Sequence, residues 1–136
     1  MTVHRRELQV NTGRRKTVDI TDEVEAFAGG AAGDGLLCVF VPHATAGVAL
    51  IETGSGSESD LVDTLTRLLP RDDRYRHTHG STGHGADHLL PAIVGPSVVI
   101  PVEGGHLLLG PWQRVVLIDL NPDNPGRTVR LSLLGG

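Results

Sequence analysis

The sequence has a single cysteine, no excess of basic residues and no long hydrophobic run. With only Cys38 present no intrachain disulfide can form, and its place within the apolar residues 36–41 predicts a small buried side chain. No apolar stretch is long enough for a signal peptide or a membrane span, so we expect a soluble cytoplasmic protein without membrane contact. The net charge of −4 argues against a general nucleic-acid-binding protein.

The length and the apolar pattern predict one α+β domain. A chain of 136 residues is near the usual size of one domain, so we predict a single domain over residues 1–136. Alternating or short apolar runs predict strands at residues 6–10, 17–20, 36–41, 48–51, 97–102, 107–109, 112–120 and 127–134. Because most of these strands follow one another directly, we predict a mainly antiparallel sheet with two to three helices.

Several local features refine this prediction. The first two strands are close enough in sequence to form a hairpin, and Thr21 is placed to begin a helix that ends at Gly29-Gly30. Residues 57–60 have the form of a capping box, and the helix that follows is predicted to present Leu61, Leu65, Leu68 and Leu69 on one face. Residues 71–87 lack periodicity and are predicted to be a long loop, and Pro91 predicts a short or kinked helix within residues 86–94.

Histidines are concentrated in the long loop. Four of the seven fall within one stretch of twelve residues that is rich in Gly, Ser and Thr; they are His77, His79, His84 and His88. Imidazole is the commonest side-chain metal ligand and titrates near neutrality, so the cluster indicates metal binding or proton transfer. The alternative is a solvated histidine-rich loop that binds metal only adventitiously. His4 and His106 are predicted to lie on the surface.

A short basic run, Arg14-Arg15-Lys16, lies between the first two predicted strands. Such runs are usually solvated surface. The alternative is a contact with phosphate.

The order of motifs resembles the YjbQ family, which is named secondary thiamine-phosphate synthase. The most specific elements are the loop His43-Ala44-Thr45-Ala46-Gly47, the pair His77 and His88, and the segment Leu109-Gly110-Pro111-Trp112-Gln113. The resemblance extends from about residue 8 to residue 135 and is independent of the periodicity arguments.

The resemblance implies a fold, an assembly and a metal site. It implies an α+β domain with a mainly antiparallel sheet, a homotrimer, and a site at which His43, His77 and His88 hold a divalent ion, zinc or magnesium. Three imidazoles leave one position open, as in catalytic sites. Gly83 and His84 stand where family members often have Asp or Asn, which indicates that an imidazole has replaced an acidic ligand.

Other residues are predicted to act beside this metal site. Glu52 and Asp60 are the carboxylates predicted to orient the imidazoles or to act as base, although Asp60 equally fits an exposed helix start. His43, His88 and Glu52 are the predicted catalytic residues. The predicted substrate contacts are Thr45, Gly47, Gln113 and Arg127.

The implied activity joins hydroxymethylpyrimidine diphosphate to thiazole phosphate and releases pyrophosphate. The substrate is then a phosphorylated small molecule, and the metal stabilises the departing anion. Two alternatives stay open: a protein that binds metal or a small ligand without catalysis, and a metal-dependent hydrolase of a phosphorylated small molecule.

Overall fold

Two antiparallel sheets form the framework of the protein. The computed structural model describes residues 1–31 and 33–135. The strands are β1 (Thr2–Asn11), β2 (Thr17–Asp19), β3 (Gly35–Phe40), β4 (Gly47–Ile51), β5 (Ser97–Glu103), β6 (His106–Leu107), β7 (Arg114–Ile118) and β8 (Gly126–Gly135). One sheet has the order β1-β8-β3-β5-β6 and the other β2-β7-β4. The α+β class with mainly antiparallel strands is confirmed.

Strand β7 lies at the centre of the packing. Its residues Val115 to Ile118 are fully buried, and successive side chains point to opposite faces. Val115 and Leu117 join the core shared with the five-stranded sheet. Val116 and Ile118 join a second core, which also contains Leu65 and Leu90. This burial on both faces explains why β7 is a continuous apolar run rather than an alternating one.

The helices are α1 (Thr21–Ala31), α2 (Ser57–Leu68), α3 (His84–Asp87) and α4 (Leu90–Val94). Helix α1 packs Val24, Phe27 and Ala28 into the core between the sheets, and α2 packs Leu65 into the second core. Pro91 lies in the first turn of α4, where its missing N–H costs nothing, and of the predicted short or kinked helix the structure has the short form, as two separate helices. None of the helices in residues 1–31 and 33–135 is both long and apolar enough to cross a membrane.

The predicted hairpin between the first two strands is wrong. β1 pairs with β8 along its whole length, while β2 pairs with β7 in the other sheet. Residues 12–16 therefore cross from one sheet to the other instead of reversing the chain within one sheet. The alternation pattern identifies strands but carries no information on their partners, which here lie 97 to 133 positions away along the chain.

The predicted capping box of α2 is also wrong. Gly56 occupies the N-cap position with φ of 98°, and no side chain caps the helix. The Glu58 carboxylate instead accepts the N–H of Gly54 at 3.2 Å. Leu68, predicted on the buried face, is 62% exposed, whereas Leu65 and Leu69, one helical turn apart, are buried.

Cys38 is only half-buried, contrary to the sequence-based prediction. Strand β3 has alternating burial, with Leu37 and Val39 facing the core and Cys38 on the opposite face. The apolar run around Cys38 therefore covers two different faces of one sheet rather than one buried segment.

Candidate functional site

Four histidines converge at one place in the structure. One ring nitrogen each from His77, His79 and His84 lies within 4.8 Å of the other two, the one such group of metal-binding side chains found among the described residues. The rings of His77 and His79 are 3.9 Å apart between centroids. His88 completes what we call the histidine cluster: its ring centroid is 4.3 Å from that of His77, and its Nε2 is 3.0 Å from Nε2 of His84.

Local structure explains this convergence. His84 begins α3, and the N–H of His88 bonds to the carbonyl of His84, so the two rings project from the same side of one helical turn. The segment carrying His77 lies directly on α3 at Gly85, where a Cβ would come within 2.4 Å of the His77 carbonyl oxygen. A side chain at residue 85 would push His77 away from the helix, so glycine is needed for the approach.

The environment favours the neutral form of His77 and His88. Burial lowers the pKa of His77, and the neighbouring His79, His88 and His84 lower it further. Burial and the proximity of His84 and His79 likewise lower the pKa of His88. The Nε2 atom of His77 is buried and has no hydrogen-bond partner. Unprotonated ring nitrogens gathered in this way have the state that metal ions require of imidazole ligands.

Asp123 orients one member of the histidine cluster. Its Oδ2 lies 3.1 Å from Nδ1 of His84 and accepts hydrogen bonds from the backbone and the hydroxyl of Ser81. These bonds from Ser81, together with His84, lower the pKa of Asp123 and keep it ionised. In the tautomer with the proton on Nδ1, His84 donates to Asp123, and its unprotonated Nε2 lies 3.0 Å from Nε2 of His88. Carboxylates orient metal-binding histidines in the same way.

Hydrogen bonds to the buried carboxylate of Asp87 hold α3 in place. Arg71 donates to both carboxylate oxygens of Asp87, whose side chain is 1% exposed, and Asn121 also donates to Oδ2 at 3.0 Å. The Asn121 amide also lies 3.1 Å from Nδ1 of His84. Arg71, Asp87, Asn121 and Asp123 were not predicted from the sequence to belong to the site. The four-residue spacing of His84 and His88 was a signal in the sequence that their rings lie together on one helical turn. No sequence feature near these histidines indicated that residues 121–123 lie beside them.

His43 lies in a different environment. Its Nε2 accepts the backbone N–H of Thr128 at 2.9 Å, so this ring continues the hydrogen bonding along β8 beyond the end of β3. Burial lowers the pKa of His43, and the nearby Arg127 lowers it further. His43 and His88 are not in the group of three whose nitrogens all approach one another, so of the predicted ligands His77 alone belongs to that group.

Arg127 and Thr45 lie in the interior. The guanidinium of Arg127 donates to both carboxylate oxygens of Asp119, at 2.7 and 3.0 Å, and to the hydroxyl of Thr45 at 2.7 Å. Arg127 is only 2% exposed. Their predicted contacts with substrate stay a prediction, and the structure shows these side chains bound to one another.

The other predicted site residues are dispersed. Gly47 is the buried first residue of β4, Glu52 follows β4 and is half-buried, and Asp60 is exposed on α2. Gln113 is exposed and its side-chain oxygen accepts the N–H of Gly110 at 2.8 Å. The surface prediction for His4 and His106 is confirmed.

Comparison with known proteins finds relatives over nearly the whole chain. The profile of the family described as UPF0047 protein YjbQ-like matches residues 6–136. A UPF0047 protein of Mycobacterium tuberculosis (strain ATCC 25618 / H37Rv) is 70% identical over 129 residues, which make up 95% of this chain and 96% of the relative. The UPF0047 protein YugU of Bacillus subtilis is 33% identical over 135 residues, 94% of this chain and 97% of the relative.

Solved structures share the fold. A YbjQ-like protein of unknown function from Sulfolobus solfataricus matches with a TM-score of 0.92 at 27% identity, covering 99% of each chain. A hypothetical protein from Aeropyrum pernix matches with a TM-score of 0.87 at 37% identity, covering 98% of this chain and 99% of that one. These matches confirm the resemblance and the fold class that the sequence predicted.

The His43 contact predicts a pH-dependent stability. Because the folded state lowers the pKa of His43 below its ordinary value of 6.5, the unfolded chain binds the proton more tightly. This contribution is complete above about pH 6.5 and is lost as pH falls toward the lower folded pKa, by at most about 1.4 kcal/mol per pH unit. Urea unfolding of the wild type and of His43→Gln between pH 5 and 8 measures it.

The non-titrating glutamine should flatten the loss of stability below neutrality, since it removes one group that must take up a proton. His4→Gln, at an exposed position on β1, is the control and should follow the wild type. Parallel curves for the wild type and His43→Gln would contradict the prediction.

Proposed function

Because the chain belongs to the UPF0047 family of YjbQ-like proteins, and this family resemblance implies a metal site among its histidines, we propose that the histidine cluster binds one divalent metal ion. The observation that carries the proposal is Nε2 of His77, a buried nitrogen without a hydrogen-bond partner, on a ring whose centroid lies 3.9 to 5.1 Å from those of three other imidazoles. An unpartnered buried polar atom is costly, and a bound cation removes that cost.

The donor set fits such an ion. His77, His79 and His84 would hold it, with His88 beside them. Imidazole nitrogens suit zinc better than magnesium, which prefers oxygen ligands. Asp123 supports this assignment because it contacts Nδ1 of His84 and so leaves Nε2, the nitrogen beside His88, for an ion.

The set deduced from the sequence, His43, His77 and His88, is the competing assignment. It shares His77 with the proposed set but relies on His43, whose Nε2 already accepts a backbone N–H. The two sets therefore differ in whether His43 or the pair His79 and His84 contributes to metal affinity.

We predict that metal-free protein takes up one Zn²⁺ per chain in a competition titration with a chromophoric chelator. His77→Ala, His79→Ala and His84→Ala should each weaken binding by more than about tenfold, since loss of even an orienting neighbour costs that much. His43→Ala should leave the affinity unchanged, as should His106→Ala at an 81% exposed side chain. Loss of affinity in His43→Ala with retention in His79→Ala would favour the competing set.

We further propose a weak or secondary thiamine-phosphate synthase activity at this site. Support comes from the family resemblance and from the proposed metal site, of which His79 is exposed. A bound divalent ion would stabilise the charge of departing pyrophosphate. Glu52 as base and Gln113 as contact to a polar edge of the substrate stay predictions, because Ile51 pairs with Arg114 at the start of β7 whereas Asp123 and the histidine cluster follow its end.

The activity is measured as pyrophosphate release from hydroxymethylpyrimidine diphosphate and thiazole phosphate. We expect turnover that is abolished by a chelator, restored by Zn²⁺, and absent in His77→Ala. Zinc binding without turnover would instead support a non-catalytic metal-binding protein. Release of inorganic phosphate from either precursor alone would support a metal-dependent hydrolase.

We also propose a homotrimer. The outer face of the five-stranded sheet exposes apolar side chains between 38% and 56%, and neighbouring chains would cover them. They are Val3, Leu36, Phe40, Val99 and Leu134.

Light scattering should give three times the chain mass of 14.4 kDa. Leu36→Glu combined with Val99→Glu should reduce this mass to that of one chain, because it places charges on the apolar face. An unaltered mass in this variant would show that another surface forms the contact, and a wild-type monomer would contradict the trimer.

A further inference from the structure

The basic run between β1 and β2 lines a cleft of about 200 Å³. The cleft is bordered by residues 13–16 and 119–122. Arg14 and Lys16 are exposed, and neither has a carboxylate within 4.0 Å among the residues that the structure describes. Arg15 differs from them, because its guanidinium donates a hydrogen bond to the carbonyl of Asn11 within the same turn. Two cationic side chains therefore remain available to an anion in this cleft.

The basic turn is held firmly against the opposite wall of the cleft. The N–H of Thr12 bonds to the carbonyl of Pro125 at 2.8 Å, and its hydroxyl donates to Asp119 at 2.9 Å. The N–H of Asp119 in turn bonds to the carbonyl of Lys16 at 2.9 Å. These three bonds fix the backbone of the turn, so a ligand need not order it on binding.

The same wall supports the histidine cluster. Asn121 lines the cleft, and its side-chain amide donates to Asp87 of α3. Two residues further, Asp123 bonds to His84. Residues 119–123 thus have the basic turn on one side and the histidines on the other, and the proposed metal and the two cationic side chains share one supporting segment.

The acidic groups nearby are accounted for. The carboxylate of Asp119 is bound to Arg127 and Thr12 and is 1% exposed. Glu58 and Asp63 of α2 line a neighbouring groove that Arg14 and Lys16 also border. Glu58 accepts the N–H of Gly54, which leaves Asp63 as the main competitor for the two cations.

We propose that this cleft binds the phosphate or diphosphate group of an anionic small-molecule substrate through Arg14 and Lys16. The inference rests on the proposed function in that it places this anion beside the histidine cluster. The planar guanidinium suits two phosphate oxygens and the ammonium supplies a compact charge. Exposed ion pairs weaken with salt, so the affinity should fall as ionic strength rises.

The test is calorimetric titration of metal-free protein with pyrophosphate and with inorganic phosphate. Replacing both cations, Arg14→Gln with Lys16→Gln, should weaken pyrophosphate binding by about tenfold or more, since charge-assisted hydrogen bonds contribute that much each. The matched control removes two charges elsewhere, Arg5→Gln with Arg6→Gln on β1, and should change affinity less than about twofold. Asp63→Asn should strengthen binding.

The outcomes separate this inference from the metal proposal. If Zn²⁺ does not bind but pyrophosphate binding still depends on Arg14 and Lys16, the anion site stands and the metal proposal fails. If pyrophosphate does not bind, with or without Zn²⁺, or if the control variant weakens it equally, the anion site is overturned. Tighter binding of a short single-stranded oligonucleotide, lost in the same double variant, would also overturn it in favour of a nucleic-acid contact.

Discussion

The buried ion pair between Arg127 and Asp119 joins the parts of the chain on which the site depends. Both side chains are 1% exposed, and removing either would leave an uncompensated charge in the interior. The pair also binds the hydroxyls of Thr45 and Thr12, at 2.7 and 2.9 Å. It thereby connects β8, the segment after β7, the loop after β3 and the turn between β1 and β2, which come from both sheets.

The candidate site follows from this constraint. Because Asp119 is held in place, the residues directly after it run along α3, where Asn121 reaches Asp87 and Asp123 reaches His84. The short α3 has little stability of its own, so these contacts and the Arg71 pair with Asp87 hold its histidines in position. The same segment forms one wall of the basic cleft. Two chemically different surfaces thus depend on one buried electrostatic contact.

The strands could be predicted from the sequence because each has a pattern of apolar residues within its own few positions. The C-terminal half shows this best, where the prediction at residues 127–134 falls within β8 (Gly126–Gly135). Pairing was not predicted, since β1 and β2 belong to different sheets. The start of α2 was predicted wrongly for a related reason. Residues 57–60 match the capping-box pattern, but the N-cap is Gly56 in a left-handed backbone conformation. The pattern does not encode that conformation.

The sequence by itself determined that four histidines lie within twelve residues, but the helical turn that places the rings of His84 and His88 on one side falls in the predicted loop. Only the tertiary structure decided which other side chains meet them. It brought Asp123 to His84 from 39 positions away and placed His43 on the backbone of β8. It also turned Arg127 inward to Asp119. Such contacts depend on how two sheets and a loop pack in three dimensions, and residue spacing along a chain carries no record of that packing.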